Sequence, residues 1–561
     1  MMDLSHLRQA IDAELKSLDE SIRALKHRRN TLAPISSLPT EAITTIFSFL
    51  HIPVTSSAVT CFTLGKQPNP DRQAWLRVAH VCHQWREIAL NQPLFWSHVD
   101  FTIFSSAGTV EILSRAKTVP LQLEARIPYQ LQERVSHVSH LAISAEPFQL
   151  RKILSGLASP APTLKCLSLS SVEYHGRTIV EPVAVLDTLF DGSTPRLSGL
   201  ELCNCDISWN LLLLRGLKHL DIRTPIERPS LSVWLDALEQ MPQLKTLILH
   251  SASPIAPPGD SLLPDVYRAV TLPSITLFYI SSPARDCGLA LAHLVLPALT
   301  SLYLIAESCC QDGSDVQELL SYVVPHAHGA QDTQPLQSMC VSRCDMSGEI
   351  FVWAFPEIDV ELPNEQAFLD TTYSARVAFS VKNRYWSPEV GMATFDAVME
   401  ALPLDGLVTL TAQHRIRPLT ERFWLRHAPK WPLVRCVRLT QPAERGFRKM
   451  VLEDNGGRDS PLLPLLTKLV LVENALFERR TLRLCDIFMK RVEQGVPLEV
   501  LDLTTCFATS RSIELLSEIV VDVLRPEKTY EAESRVPTFV FSGFDLEDEW
   551  DDNYGYEGGA V

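Results

Sequence analysis

A short pattern, Leu-x-x-Leu-x-Leu, recurs along this chain and restricts its fold more than any other feature. Clear copies stand at Leu164, Leu167 and Leu169, at Leu197, Leu200 and Leu202, at Leu217, Leu220 and Ile222, and at Leu244, Leu247 and Leu249. Looser copies follow at Leu272, Ile275 and Leu277, at Leu299, Leu302 and Leu304, and at Leu336, Met339 and Val341. Late ones are Val434, Val437 and Leu439, then Leu466, Leu469 and Leu471, then Leu498, Leu501 and Leu503. The last two leucines of a unit lie on one face of a short strand and the first packs the preceding turn, so neighbouring units share one core. Helical patterns precede several copies, as over Leu231 to Met241 and over Leu484 to Glu493, and Pro242, Pro297, Pro335 and Pro497 fall just before strands. Helix, turn and strand in repetition predict an α/β solenoid with short parallel strands on its inner, concave face. The stretch from about Ser342 to Pro403 fits this register poorly, although the alternation Val377, Phe379, Val381 predicts divergent strands there.

The repeat also merges what length alone would divide, since 561 residues correspond to about three to four domains at ~150 residues each. Residues 101–530 are read as one repeat-bearing domain. A preceding segment, 1–33, reads as one amphipathic helix, because Leu4, Leu7, Ile11, Leu15, Leu18, Ile22, Leu25 and Leu32 recur at three- and four-residue steps. Leu4, Ile11, Leu18, Leu25 and Leu32 are seven apart, but the positions that would complete a coiled-coil seam include Glu14, Ser21 and Arg28. Docking of this helix on its own chain is therefore favoured over self-association. Residues 34–100 form a helical module. One helix opens at Leu38, Pro39, Thr40 and Glu41, with Pro at its first position, and carries Ile43, Ile46, Phe47 and Leu50. A polar insert, His51 to Gln73, reads as a surface loop. The next helix begins near Ala74, bears Trp75, Val78, Val81, Cys82, Trp85, Ile88 and Ala89 as a broad apolar stripe, and ends before Leu94, Phe95 and Trp96. The chain closes with a helix near Ile513 to Leu524 and an acidic tail over 531–561 that is expected to be disordered.

Composition excludes several classes of function. With 46% hydrophobic and 21% charged residues the chain is neither largely disordered, collagen-like nor a disulfide framework. Its 51 Lys and Arg stand against 66 Asp and Glu, and a net charge of −15 argues against nucleic acid as the main partner. The thirteen Cys include no Cys-x-x-Cys, and no Asn-x-Ser/Thr sequon occurs. A reduced, intracellular setting, cytoplasmic or nuclear, is expected. Cys287 to Ala306 lacks charge over a bilayer-spanning length, but Pro297 and the repeat place it in a water-soluble core, so no membrane partner is expected. No phosphate-cradling loop, Gly-x-Ser-x-Gly elbow or His-Glu-x-x-His pair is present. His80, Cys82 and His83 lack a fourth ligand, and neither a metal nor another cofactor is expected.

Leu38-Pro39-Thr40-Glu41, Ile43, Ile46-Phe47 and Leu50, followed by Val81-Cys82-His83-Gln84-Trp85 and Pro93-Leu94-Phe95-Trp96, resemble the F-box. More narrowly, the chain is similar to fungal F-box proteins that carry degenerate leucine-rich repeats after the motif. The resemblance implies a non-catalytic, substrate-recognition subunit of a cullin-RING (SCF-type) ubiquitin ligase. Such a subunit docks a Skp-type adaptor, and through it a cullin, with the F-box, and binds a substrate protein with the repeats. Carried over by position, the adaptor-facing residues are Leu38, Pro39, Ile43, Ile46, Phe47, Val81, Cys82, Trp85, Leu94 and Trp96. For substrate contact, the strand positions between the leucines are the candidates: Ser168, Glu201, Asp221, Ile248, Tyr303, Val470 and Asp502. The competing reading is an interaction scaffold built on the repeats and uncoupled from ubiquitin transfer.

Overall fold

The computed structural model describes residues 4–49, 74–100, 106–125, 135–172, 183–185, 188–210, 214–257, 268–297, 300–329, 334–344, 349–358, 375–382, 387–414, 421–440, 446–448, 451, 461–472, 474–526 and 529–530. The polar insert and the acidic tail lie outside them. Mixed α/β in class, the chain has helices at its N-terminus followed by a large, mostly parallel β-structure. It divides into two units, Met1–Arg228 with Asp236–Leu244, and Pro229–Leu235 with Lys245–Val561.

The first unit opens with α1 (Leu4–Thr31), one uninterrupted helix as the periodicity predicts. Its apolar stripe is not docked as expected: Leu7, Ile11, Leu15, Leu18, Ile22 and Leu25 are all exposed. α2 (Thr40–Ser48) follows a 3-10 turn at Pro34–Ser37, and Pro39 is its N-cap rather than its first helical residue. The single helix expected from Ala74 onward is two, α3 (Ala74–Val78) and α4 (His83–Asn91). Cys82 breaks it. Its backbone is extended at φ −155° and ψ 171°, and its Sγ accepts the Trp85 N–H at 3.5 Å as an N-cap.

Parallel strands β1 (His98–Asp100), β2 (Leu121–Ala125), β3 (Val138–Ala145), β4 (Cys166–Ser171), β5 (Gly199–Cys203) and β6 (His219–Arg223) pair in sequence order. The ladder begins well before residue 150. Its early units are spelled with other residues, such as Val138, Leu141 and Ile143, which hide the leucine pattern.

The second unit carries β7 (Thr246–His250), β8 (Leu277–Pro283), β9 (Ser301–Glu307), β10 (Ser338–Cys344), β11 (Glu349–Phe355), β12 (Val377–Lys382), β13 (Thr409–His414), β14 (Cys436–Thr440), β15 (Lys468–Val472), β16 (Val500–Asp502) and β17 (Asp522–Leu524). β7, β8 and β9 pair in order, but β9 then pairs with β12. β11 lies antiparallel between β12 and β10, and β10 pairs in parallel with β13. Two antiparallel steps restore direction, so the ladder continues in parallel through β14 to β17. This inserted strand is why the stretch after Ser342 resists a register. Cys287–Ala306 is divided between the end of a helix (Ala284–Ala292), a two-residue strand and β9, and no described helix is long and apolar enough to cross a membrane.

Two hydrogen-bond series recur along the ladder. In several units the first residue donates its N–H to a carbonyl three residues back, as in Leu164 to Ala161, Leu197 to Thr194, Leu244 to Met241, Val434 to Trp431 and Leu466 to Leu463. Applied to β8, the same bond runs from Ile275 to Leu272, and Phe278 and Ile280 pair with Leu247 and Leu249. The unit there is Ile275, Phe278 and Ile280, three residues on from the expected one. In the second series, a side chain three residues past the last leucine reaches the preceding unit. Cys205 Sγ points to the Leu169 carbonyl at 3.9 Å, Asn474 Nδ2 to that of Leu439 at 3.4 Å, and Cys506 Sγ to that of Leu471 at 3.0 Å. A final correction concerns Ile513 to Leu524: the helix runs only over Ser510–Ser517, and Asp522–Leu524 is β17.

Candidate functional site

The helical module after α1 closes on a small aromatic core. Ile43 and Phe47, four apart on α2, turn inward and are buried. Phe47 meets Trp85 of α4 edge-on at 4.9 Å and Phe95 at 6.0 Å. Trp96 is buried too, its Nε1 donating to the Ala89 carbonyl at 2.9 Å, with the Arg115 guanidinium 5.0 Å from its ring. Ile43, Phe47 and Trp96 thus complete the module's own core rather than an outward face. Cys82 and Trp85 are half-buried.

Around this closed core a second apolar set faces water. Leu38 and Pro39 are exposed at the entrance to α2. Ile46, which flanks the Ile43–Phe47 pair on α2, is exposed, as is Phe49 three residues on. Val81, in the turn before α4, and Leu94, in the 3-10 turn after it, are both 58% exposed. An isolated exposed leucine needs no explanation, but five large apolar side chains left open on so small a module do. Phe49 was not among the expected residues. Its position, one turn past Ile46, is the signal that would have found it. The remaining polar chemistry is sparse: His83 lies 3.8 Å from Glu87, with both side chains exposed, and His80 is exposed as well.

Residues 35–102 match the family model described as F-box-like. The chain carries an F-box-like domain. No curated protein matches the chain. The domain boundaries enclose α2, α3, α4 and the 3-10 turn Pro93–Trp96, so the F-box-like domain coincides with the closed core and its exposed apolar fringe.

Among the strand positions considered for substrate contact, Ser168, Asp221, Ile248 and Tyr303 are buried within the chain and face no solvent. Ile248, Tyr279 and Tyr303 stand in one row across three strands and cover one another. Asp221 is held by Arg223, whose Nε and Nη2 donate to it at 2.9 and 2.8 Å. Burial nonetheless pushes its carboxyl above the ordinary range, with the guanidinium opposing in part. Glu201, Val470 and Asp502 are half-buried, and Asp502 Oδ2 lies 3.6 Å from Lys468 Nζ. Within the second unit, the partly open positions are toward its C-terminus, where Arg438, Val470 and Asp502 share a row.

Proposed function

We propose that this chain is the non-catalytic substrate-recognition subunit of a cullin-RING ubiquitin ligase. The F-box-like domain docks a Skp-type adaptor, and the repeat-bearing strands hold a substrate protein. The observation that carries this reading is the exposed fringe of Leu38, Pro39, Ile46, Phe49, Val81 and Leu94 around a core that is already closed without it. A partner that covers this fringe removes apolar area from water, the main driving force of association. Two features of the ladder support leucine-rich repeats as the substrate-binding part. They are the turn bond that opens several units, and the Cys205, Asn474 and Cys506 side chains that reach a carbonyl of the unit before.

In this role the chain makes and breaks no bond. It holds a substrate lysine near a ubiquitin-charged enzyme, so that a bimolecular transfer becomes close to intramolecular. The test is adaptor co-purification with the Leu38→Ala/Pro39→Ala double variant and with Ile46→Asp. Truncating hot-spot side chains costs about 2 kcal/mol or more, roughly thirtyfold in Kd, so both variants should lose adaptor while keeping the wild-type circular dichroism. Adaptor retained at wild-type level would refute the docking site. Adaptor bound without any cullin in the complex would instead favour a scaffold uncoupled from ubiquitin transfer.

A further inference from the structure

Helix α1 presents an apolar seam that nothing in the described chain covers. Ile11, Leu15, Leu18, Ile22 and Leu25 follow one another at steps of four, three, four and three residues, and they are 47–66% exposed. That spacing is a heptad seam in which Ile11, Leu18 and Leu25 take the d positions and Leu15 and Ile22 the a positions, with Arg8 and Arg29 at its two ends. Completing the seam on this side avoids Glu14, Ser21 and Arg28, which become flanking residues. The helix has 28 residues, about 42 Å at 1.5 Å per residue and four heptads in length.

We propose that α1 joins two copies of this chain as an antiparallel coiled coil. Charge decides both the occupant and its direction. The flanking residues of the first half, Asp12, Glu14 and Asp19, are acidic, and those of the second half, Lys26 and Arg28, are basic. Laid antiparallel with Leu18 against the partner's Ile22 and Leu15 against the partner's Leu25, the helix sets Glu14 beside the partner's Arg28 and Asp12 beside the partner's Lys26. Each attraction occurs twice, and Asp19 and the uncharged Ser21 each meet their own counterpart. A parallel pair in the same seam would put Glu14 beside the partner's Asp19 and stack Arg8 on Arg8 and Arg29 on Arg29, so like charges would oppose at both ends and in the acidic half, with no opposite-charge pair in return. Antiparallel packing also opposes the two helix dipoles favourably. The paired seams cover on the order of 1,000 Å² in all, the lower bound for a specific interface. A membrane surface fits the helix poorly, since an interfacial helix carries a basic polar face and this one mixes both signs. Because the F-box-like domain follows the end of α1, the dimer would set two such domains at opposite ends of a rod about 40 Å long.

Sedimentation velocity on the full chain tests this. Wild type should sediment at twice the 62.9 kDa chain mass at micromolar concentration, and the Leu18→Glu/Leu25→Glu variant at the single mass. Glu14→Arg should weaken the dimer about tenfold, and Glu14→Arg/Arg28→Glu should restore it. A wild-type monomer at tens of micromolar would overturn the proposal, including one whose seam is protected from hydrogen exchange by another segment of its own chain. Tightening by Glu14→Arg would overturn the antiparallel direction, because the new cation would then face the partner's Asp19. Adaptor binding plays no part in this readout.

Discussion

His427 shows how one side chain ties stability to pH in this fold. It is fully buried beside Asp396, with its Nε2 2.8 Å from Oδ1, and its Nδ1 has no hydrogen-bond partner among the described residues. A proton on Nδ1 would bury an unsatisfied N–H. Burial accordingly holds the imidazole pKa below its ordinary value, against the opposing pull of Asp396. Burial lowers that of His326 likewise. The folded chain resists a proton that the unfolded chain accepts near pH ~6.5, so this stability is complete above that pH and is lost as pH falls through it. The melting temperature should drop between pH 7.5 and 5.5, and His427→Gln, which can still donate to Asp396, should flatten part of that slope. An unchanged slope would assign the effect elsewhere. Residue identity made the F-box-like motif legible, but not the division of labour within it. Ile43 and Ile46 are chemically identical and three apart, yet one is buried with Phe47 in the aromatic core and the other is left in water.

At the scale of elements, legibility followed how nearly each unit was spelled in leucine. β4 to β7 and β14 to β16 fall where the pattern places them, because paired leucines two apart name the inward face directly. β8 slipped by three residues, since Leu272, Ile275, Leu277 and Ile275, Phe278, Ile280 fit the pattern equally and only pairing with Leu247 and Leu302 decides. β13 was missed because its unit, Leu407, Leu410 and Ala412, ends in alanine. β11 runs Ile350 to Phe355 without a polar residue, so no period in the sequence reports its direction. Helix–strand coupling within a unit also depends on residues outside the pattern. Arg491, on the helix Glu478–Glu493, is buried and donates to the carbonyls of Leu462, Leu463 and Leu466 at 3.1–3.3 Å, stitching that helix to the turn before β15. Burial pushes its guanidinium pKa down to about 10, which leaves it charged at neutral pH. Arg491→Met would strand three buried carbonyls and should lower the free energy of urea unfolding by about 3 kcal/mol. Arg491→Lys should cost less, and a fully stable methionine variant would show that the stitch contributes nothing.

Across the whole molecule, half of the large apolar side chains exposed among the described residues fall in the first hundred positions, nearly all of them on α1 and on the F-box-like domain. The strands beyond them are filled on their leucine face by their own neighbours, so surplus apolar surface is concentrated where partners are proposed to bind. A net charge of −15 keeps such a chain dispersed by mutual repulsion, yet it does not shield a local apolar fringe beyond about 10 Å at 0.1 M salt. Expressed alone, the chain should therefore give a low yield of monodisperse protein at moderate salt. Co-expression with a Skp-type adaptor should raise that yield severalfold by covering Leu38, Ile46, Phe49, Val81 and Leu94. The Leu38→Ala/Pro39→Ala variant should lose the gain, whereas Leu18→Glu/Leu25→Glu should keep it, because α1 and the F-box-like fringe present separate surfaces to separate partners. Size-exclusion chromatography of the four preparations reads this directly. Equal yields with and without adaptor would mean that the fringe is tolerated in water, and the apolar surface would then cease to be evidence for a docked partner.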